Sequence, residues 1–135
     1  LRLANVLVLG YVWGTLGTML GGIFLIFFSD TPFAEYFPNI LVSSLSGLCA
    51  FVLFSISFGR SINTKQWSDW LILTIICAFS NTLLHHVLWL AFYPDQLKEA
   101  SQFIKMVLGD MAGTLVGAYT FRFFAIKFNW RMPKP

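Results

Sequence analysis

The sequence predicts an all-α integral membrane protein with four transmembrane helices and both termini in the cytoplasm. Three observations lead to this prediction. The 135 residues are 57% hydrophobic, 18% aromatic and only 11% charged, whereas a soluble domain carries about 25% charged residues. Four apolar segments are each long enough to cross about 30 Å of hydrocarbon as a helix. Lysine and arginine are concentrated in the segments that this topology places on one side.

The predicted spans cover about 3–28, 40–58, 70–92 and 103–121 of a single transmembrane domain, residues 1–135. Three polar segments separate them: SDTPFAEYFPN, GRSINTKQWSD and YPDQLKEASQ. Their prolines interrupt helices, and their charges favour water. Spans this long must be helical, because an open sheet would leave backbone groups unpaired in lipid. The first span is too long for a signal-peptide core and has no A-x-A site after it, so we expect it to be retained.

Basic residues set the predicted orientation, because cytoplasmic loops of membrane proteins carry an excess of them. Seven lie on the side of the termini, and two lie on the other. The seven are Arg2, Arg60, Lys65, Arg122, Lys127, Arg131 and Lys134, and the two are Lys98 and Lys105. The loops around Asp30 and Asp95 are therefore predicted to face outward, and the expected location is the inner, cytoplasmic membrane of a bacterial-type cell.

Small residues recur at helical spacing in the first and fourth spans. Residues four apart lie on one face of a helix, and glycines there allow two backbones to approach closely in lipid. We therefore expect these two spans to pack antiparallel through their glycine faces. The alternative is that one face binds another subunit. The candidate packing residues are Gly10, Gly14, Gly17, Gly21, Gly22, Gly109, Gly113 and Gly117.

Polar residues in three spans are predicted to share one layer of the membrane. By the 1.5 Å rise per helical residue, Asp110 lies about 10 Å and His86 about 9 Å below the outer end of their spans. An ionised carboxylate in lipid costs a few kcal/mol unless it is paired or hydrated. We therefore expect Asp110 to face the bundle interior and to pair with one of the two histidines. The predicted cluster is Asp110, His85, His86, Asn81, Ser43 and Ser44.

This cluster has two interpretations. Polar side chains often join transmembrane helices, at about 0.6–2 kcal/mol per contact. Intramembrane ionisable residues also mark sites for protons or ligands. The spacing of the two histidines and the aspartate matches no metal motif such as H-E-x-x-H, and we find no nucleotide-binding loop, G-x-S-x-G or C-x-x-C. The sequence therefore predicts a non-enzymatic protein with no metal and no cofactor.

One short segment resembles a known family. The stretch VLGDMAGTL, residues 107–115, resembles the last span of bacterial membrane-associated sensor domains, in which Gly109, Asp110, Gly113 and Leu115 match. The tryptophans that usually precede the Gly-Asp pair are replaced here by Lys105 and Met106. Those domains have more spans and carry a cytoplasmic signalling output. The resemblance implies a sensory role for the chain.

Two functional expectations follow. The first is a sensor-like or accessory subunit of a larger membrane assembly. The second is a small transporter or channel subunit that moves a proton or a small solute through the polar layer. In either case the expected partners are the lipid bilayer and a second protein or further copies of the chain, but not nucleic acid.

Overall fold

The computed structural model describes residues 2–30, 32–60, 62–63, 66–93 and 100–127. Over these residues the chain is all-α, as the sequence predicts, but it forms five helices where four were predicted. They are α1 (Arg2–Leu9), α2 (Tyr11–Ile26), α3 (Phe33–Phe58), α4 (Trp67–Phe92) and α5 (Ala100–Lys127). By length and apolar composition, α3 and α4 could each cross a membrane, and α2 is an apolar helix of 16 residues.

The first predicted span, 3–28, is not one helix, and this prediction is wrong. The chain breaks at Gly10, whose φ of 81° and ψ of 164° lie outside the helical region. Glycine adopts a positive φ without the steric penalty that a Cβ atom brings. As a result α1 turns back along α2, and the two form a helical hairpin.

Backbone contact holds this hairpin together. A Cβ atom placed on Gly14 of α2 would lie 2.5 Å from the Val6 Cα atom and against the carbonyl oxygen of Asn5, both in α1. The Asn5 side chain donates a hydrogen bond to Thr18 Oγ1 over 3.2 Å. Glycine allows helices to approach this closely and to replace hydrophobic force with van der Waals contact.

Helices α3 and α4 are antiparallel neighbours and form the centre of the bundle. Trp89 Nε1 donates a hydrogen bond to Asn39 Oδ1 over 3.2 Å between them. The hydrophobic core lies against this pair, and α1 inserts Leu3 into it. The core residues are Leu3, Ala50, Phe54, Leu73 and Cys77.

Helix α3 begins at Phe33 rather than near Ile40, so Pro38 lies inside a helix and not in a loop. Proline cannot donate the hydrogen bond that would normally reach the carbonyl four residues earlier. That carbonyl belongs to Ala34, and it accepts a hydrogen bond from the Tyr93 hydroxyl over 3.2 Å. A tertiary contact therefore replaces the missing backbone bond and allows the helix to start earlier.

The glycines do not join the first and fourth spans as predicted. Within the described residues, α5 packs against α4 and α1, while α2 packs against α1 and α3. Gly22 faces Ile40 of α3, whereas a Cβ atom on Gly109 or Gly113 of α5 would meet nothing within 4 Å. Of the first predicted span, only the part that forms α1 contacts α5. The turn at Gly10 places α1 between α2 and the other helices.

Large apolar side chains cover the outside of the bundle. Trp13, Ile56, Leu90 and Val116 belong to four different helices and are 67–75% exposed. Helices of a water-soluble bundle would place polar residues on that outer face. An exposed apolar surface of this extent is typical of a region that contacts a membrane or another protein.

Candidate functional site

The middle of α4 meets the middle of α5 at a polar contact. Asn81 Nδ2 donates a hydrogen bond to Asp110 Oδ2 over 2.5 Å. The sequence predicts a histidine as the partner of Asp110, and this is wrong. Asn81 lies one helical turn before His85, and α5 passes α4 at the level of that turn.

Both histidine rings bond to the backbone of their own helix instead. His85 Nδ1 lies 2.9 Å from the Asn81 carbonyl oxygen, and His86 Nδ1 lies 2.9 Å from that of Thr82. Because a carbonyl oxygen only accepts, each Nδ1 carries the proton in these contacts. His85 Nε2 then faces Ser43 Oγ of α3 at 3.4 Å. The predicted cluster therefore exists, but His85 connects it to α3 and Asn81 connects it to α5.

The two serines of the cluster have different roles. Ser43 faces His85, as described above. Ser44 is buried and donates a hydrogen bond to the Ile40 carbonyl of its own helix over 2.7 Å. A serine that bonds to the preceding turn satisfies its hydroxyl without a tertiary partner.

A polar cavity of about 280 Å³ lies beside the Asn81–Asp110 contact. We call it the Asp110 cavity. It is half open, and residues of α1, α4 and α5 border it. Its lining consists of Arg2, Cys77, Asn81, Gly109, Asp110, Gly113 and Thr114.

One buried acceptor at this cavity has no partner among the described residues. Asn81 is 1% exposed, and its Oδ1 atom makes no hydrogen bond there, although its Nδ2 atom binds Asp110. Leaving a buried polar atom unpaired costs about 1–3 kcal/mol. The Asn81 and Asp110 side chains therefore both line the cavity, with the unpaired Asn81 amide oxygen buried behind it.

Arg2 lies inside the bundle and not in a cytoplasmic loop, where the charge count placed it. Its carbonyl oxygen would be 3.5 Å from a Cβ atom on Gly47, near the middle of α3. Its side chain lines the Asp110 cavity. The sequence offers no sign of this position, because the reversal at Gly10 is what carries the residue inward.

Arg2 also lines a second, larger cavity of about 550 Å³ between α1, α2 and α3. We call it the Arg2 cavity. Its polar lining includes Asn5, Thr18, Tyr36, Asn39, Ser43 and Ser44. Gly17, Gly21 and Gly22 of α2 also border it. The glycine row of the first span therefore borders a cavity along much of its length, in place of the predicted contact with α5.

An ion pair closes the connection between α3 and α4. The Arg60 guanidinium donates two hydrogen bonds of 2.6 Å to the Asp69 carboxylate, which also accepts one from the Asn63 backbone over 2.8 Å. The carboxylate raises the pKa of the Arg60 guanidinium above its ordinary value. Sequence reasoning treated Arg60 only as a topology signal. The acidic residue in the first turn of α4 was the available sign of a capping partner.

Several other predicted features have the following positions. Cys49 and Cys77 are free thiols. In the described part of the chain, three or more histidine, cysteine or acidic side chains do not come together in a group that could hold a metal ion. The predicted outward loop at Asp95 and the basic residues Lys65, Lys98, Arg131 and Lys134 lie outside the described residues.

In comparisons with known proteins, no family model matched the chain, and neither a curated protein nor a solved structure was similar to it.

Proposed function

We propose that the chain is a non-enzymatic, four-span protein of the inner membrane that acts as a sensor-like or accessory module of a larger assembly. In this proposal α2, α3, α4 and α5 cross the bilayer and the C-terminus lies in the cytoplasm, whereas α1 turns back into the bundle at Gly10. The apolar outer surface and the lengths of α3 and α4 support the membrane location. The role of the module is to bind a small polar solute in the Asp110 cavity.

The Asp110 carboxylate carries this proposal, because it lines the cavity and is held there by Asn81. A ligand in the cavity would donate hydrogen bonds to this carboxylate. Arg2 on the opposing helix supplies donors for an acceptor group on the same ligand. The class that fits is a small zwitterion or amide with N–H donors at one end and an oxygen at the other.

Transport is the second candidate, and one observation favours it. Arg2 borders both cavities, so the two cavities are neighbours on either side of α1. Vesicles that contain the purified protein distinguish the two functions. Uptake of a labelled small zwitterion that depends on Asp110 would favour a transporter, whereas saturable binding without uptake would favour a sensor.

Binding is tested with glycine and glycine betaine, which carry the same charges although betaine lacks N–H donors. We expect glycine to raise the thermal midpoint of the protein in detergent more than betaine does, because only glycine can donate hydrogen bonds to Asp110. Asp110→Asn should weaken the apparent glycine affinity by roughly tenfold or more, because a charge-assisted hydrogen bond contributes about 1.5–3 kcal/mol. Gly113→Leu should have the same effect, since the new side chain fills the cavity.

Gly21→Leu is the matched control, because it adds the same side chain to the other cavity and should leave the difference between glycine and betaine unchanged. The polar contact is only a joint if Asp110→Asn lowers the free energy of unfolding without ligand by about 0.6–2 kcal/mol, the amount expected for a lost helix contact, and glycine raises the wild-type midpoint no more than betaine does. That pair of results would refute the binding role.

A further inference from the structure

We propose that the Arg2 cavity is a second binding site, separate from the Asp110 cavity, and that it takes a phosphate or carboxylate group. The site lies between α1, α2 and α3, and nothing in the predicted functions requires it. Its volume of about 550 Å³ is within the range of pockets that hold small molecules.

Charge is the first argument for an anion. Among the described residues that line the cavity, Arg2 is the one charged side chain. Asp110 lines the neighbouring cavity, but Arg2 and Asp110 do not form an ion pair; the pair within the described chain is Arg60–Asp69. A guanidinium presents five N–H donors in a planar fork that matches a carboxylate or a phosphate.

Hydrogen-bond donors are the second argument. Asn5 uses one amide N–H on Thr18, and Asn39 uses one on the Glu35 carbonyl. Each side-chain amide carries two N–H donors, so one remains on each for a ligand. The Tyr36 hydroxyl lines the same cavity. Donors from α1 and α3 thus border the same space as Arg2.

Space is the third argument. Gly21 borders the cavity, and a Cβ atom there would meet nothing within 4 Å. A larger residue at this position would therefore fill the cavity without a clash at its first atom. The glycine in this place keeps the cavity open, although packing between helices does not require it.

The anion has two possible sources, a soluble solute or a lipid headgroup, and the experiment separates them. The purified chain is placed in nanodiscs of phosphatidylcholine and titrated with inorganic phosphate and with succinate at constant ionic strength. A second series contains a minority of phosphatidylglycerol and no added solute. We expect the thermal midpoint to rise in at least one series. A rise with phosphate or succinate indicates a solute, and a rise with phosphatidylglycerol alone indicates a lipid.

Variants then locate the effect. Gly21→Leu should weaken the apparent affinity by roughly tenfold or more, because it occupies the site, and Arg2→Gln should do the same by removing the charge. Gly113→Leu and Asp110→Asn should retain full anion binding, so that failure here is distinguishable from failure of the proposed zwitterion site. An equal midpoint rise in wild type and Gly21→Leu, or no rise in either series, would overturn the proposal.

Discussion

Gly14→Ala is expected to cause a larger loss of stability than the same change at the other described glycines, because the added atom would meet backbone at the shortest distances. The added methyl group would lie 2.5 Å from the Val6 Cα atom and against the Asn5 carbonyl oxygen. Both neighbours are backbone atoms, so no change of rotamer relieves the contact. Overpacking typically costs about 1–3 kcal/mol and occasionally more. We expect the free energy of unfolding to fall by about 3 kcal/mol, through separation of α1 from α2.

The measurement is thermal unfolding in detergent with a dye that reacts with thiols, since Cys77 is buried in the core that α1 covers. Gly21→Ala is the matched control on the same helix, because its added Cβ atom meets nothing within 4 Å. That variant should be neutral or gain up to about 1 kcal/mol from helix propensity. Equal midpoints for the two variants would show that α1 does not pack against α2 as described.

Asp69→Ala is expected to have the second largest effect, at the connection between α3 and α4. The substitution removes three hydrogen bonds at once, two from Arg60 and one from the Asn63 backbone. The carboxylate is fully buried by the surrounding residues although Arg60 is 45% exposed. We expect Asp69→Ala to lower the thermal midpoint clearly, and Asp69→Asn to lower it less, because the amide keeps an oxygen that accepts the Asn63 bond.

Coupling between the two residues separates the ion pair from a general effect of the loop. If the pair acts as one unit, the double variant Arg60→Ala with Asp69→Ala should lose less stability than the sum of the two single variants. Glu35→Ala, at an exposed position in the first turn of α3, serves as a control and should stay near the wild type. Additive losses for Arg60 and Asp69 would contradict the role assigned to the pair.

Most of the helical architecture could be predicted from the sequence, because long apolar runs separated by charged and proline-containing segments have few other solutions. The break at Gly10 could not. Glycine is common inside membrane helices, and its backbone angles depend on what packs around it. Pro38 led to the opposite error, because it predicted a loop where α3 is helical. The Ala34 carbonyl that loses its backbone donor at Pro38 is bound by the Tyr93 hydroxyl, which is distant in sequence.

Only part of the candidate site could be predicted from the sequence. Asp110 stood out because a carboxylate in an apolar helix requires a partner. Depth alone could not choose among His85, His86 and Asn81 as that partner. The histidines bond to carbonyls of their own helix, an option that is available to any histidine in a helix. The count of basic residues assigned Arg2 to the cytoplasm. Its inward position depends on the turn at Gly10, which the sequence does not reveal.

Labelling of engineered cysteines in intact cells tests the four-span arrangement most directly. Cys49 and Cys77 are first replaced by alanine, and single cysteines are placed at Asp30, Gln66 and Lys127, which are exposed at the ends of the helices. A membrane-impermeant maleimide should label the Asp30 position from outside, and the other two only after the membrane is permeabilised. Labelling of Gln66 or Lys127 in intact cells, or protection of Asp30, would contradict the proposed crossing of the bilayer by α3 and α5.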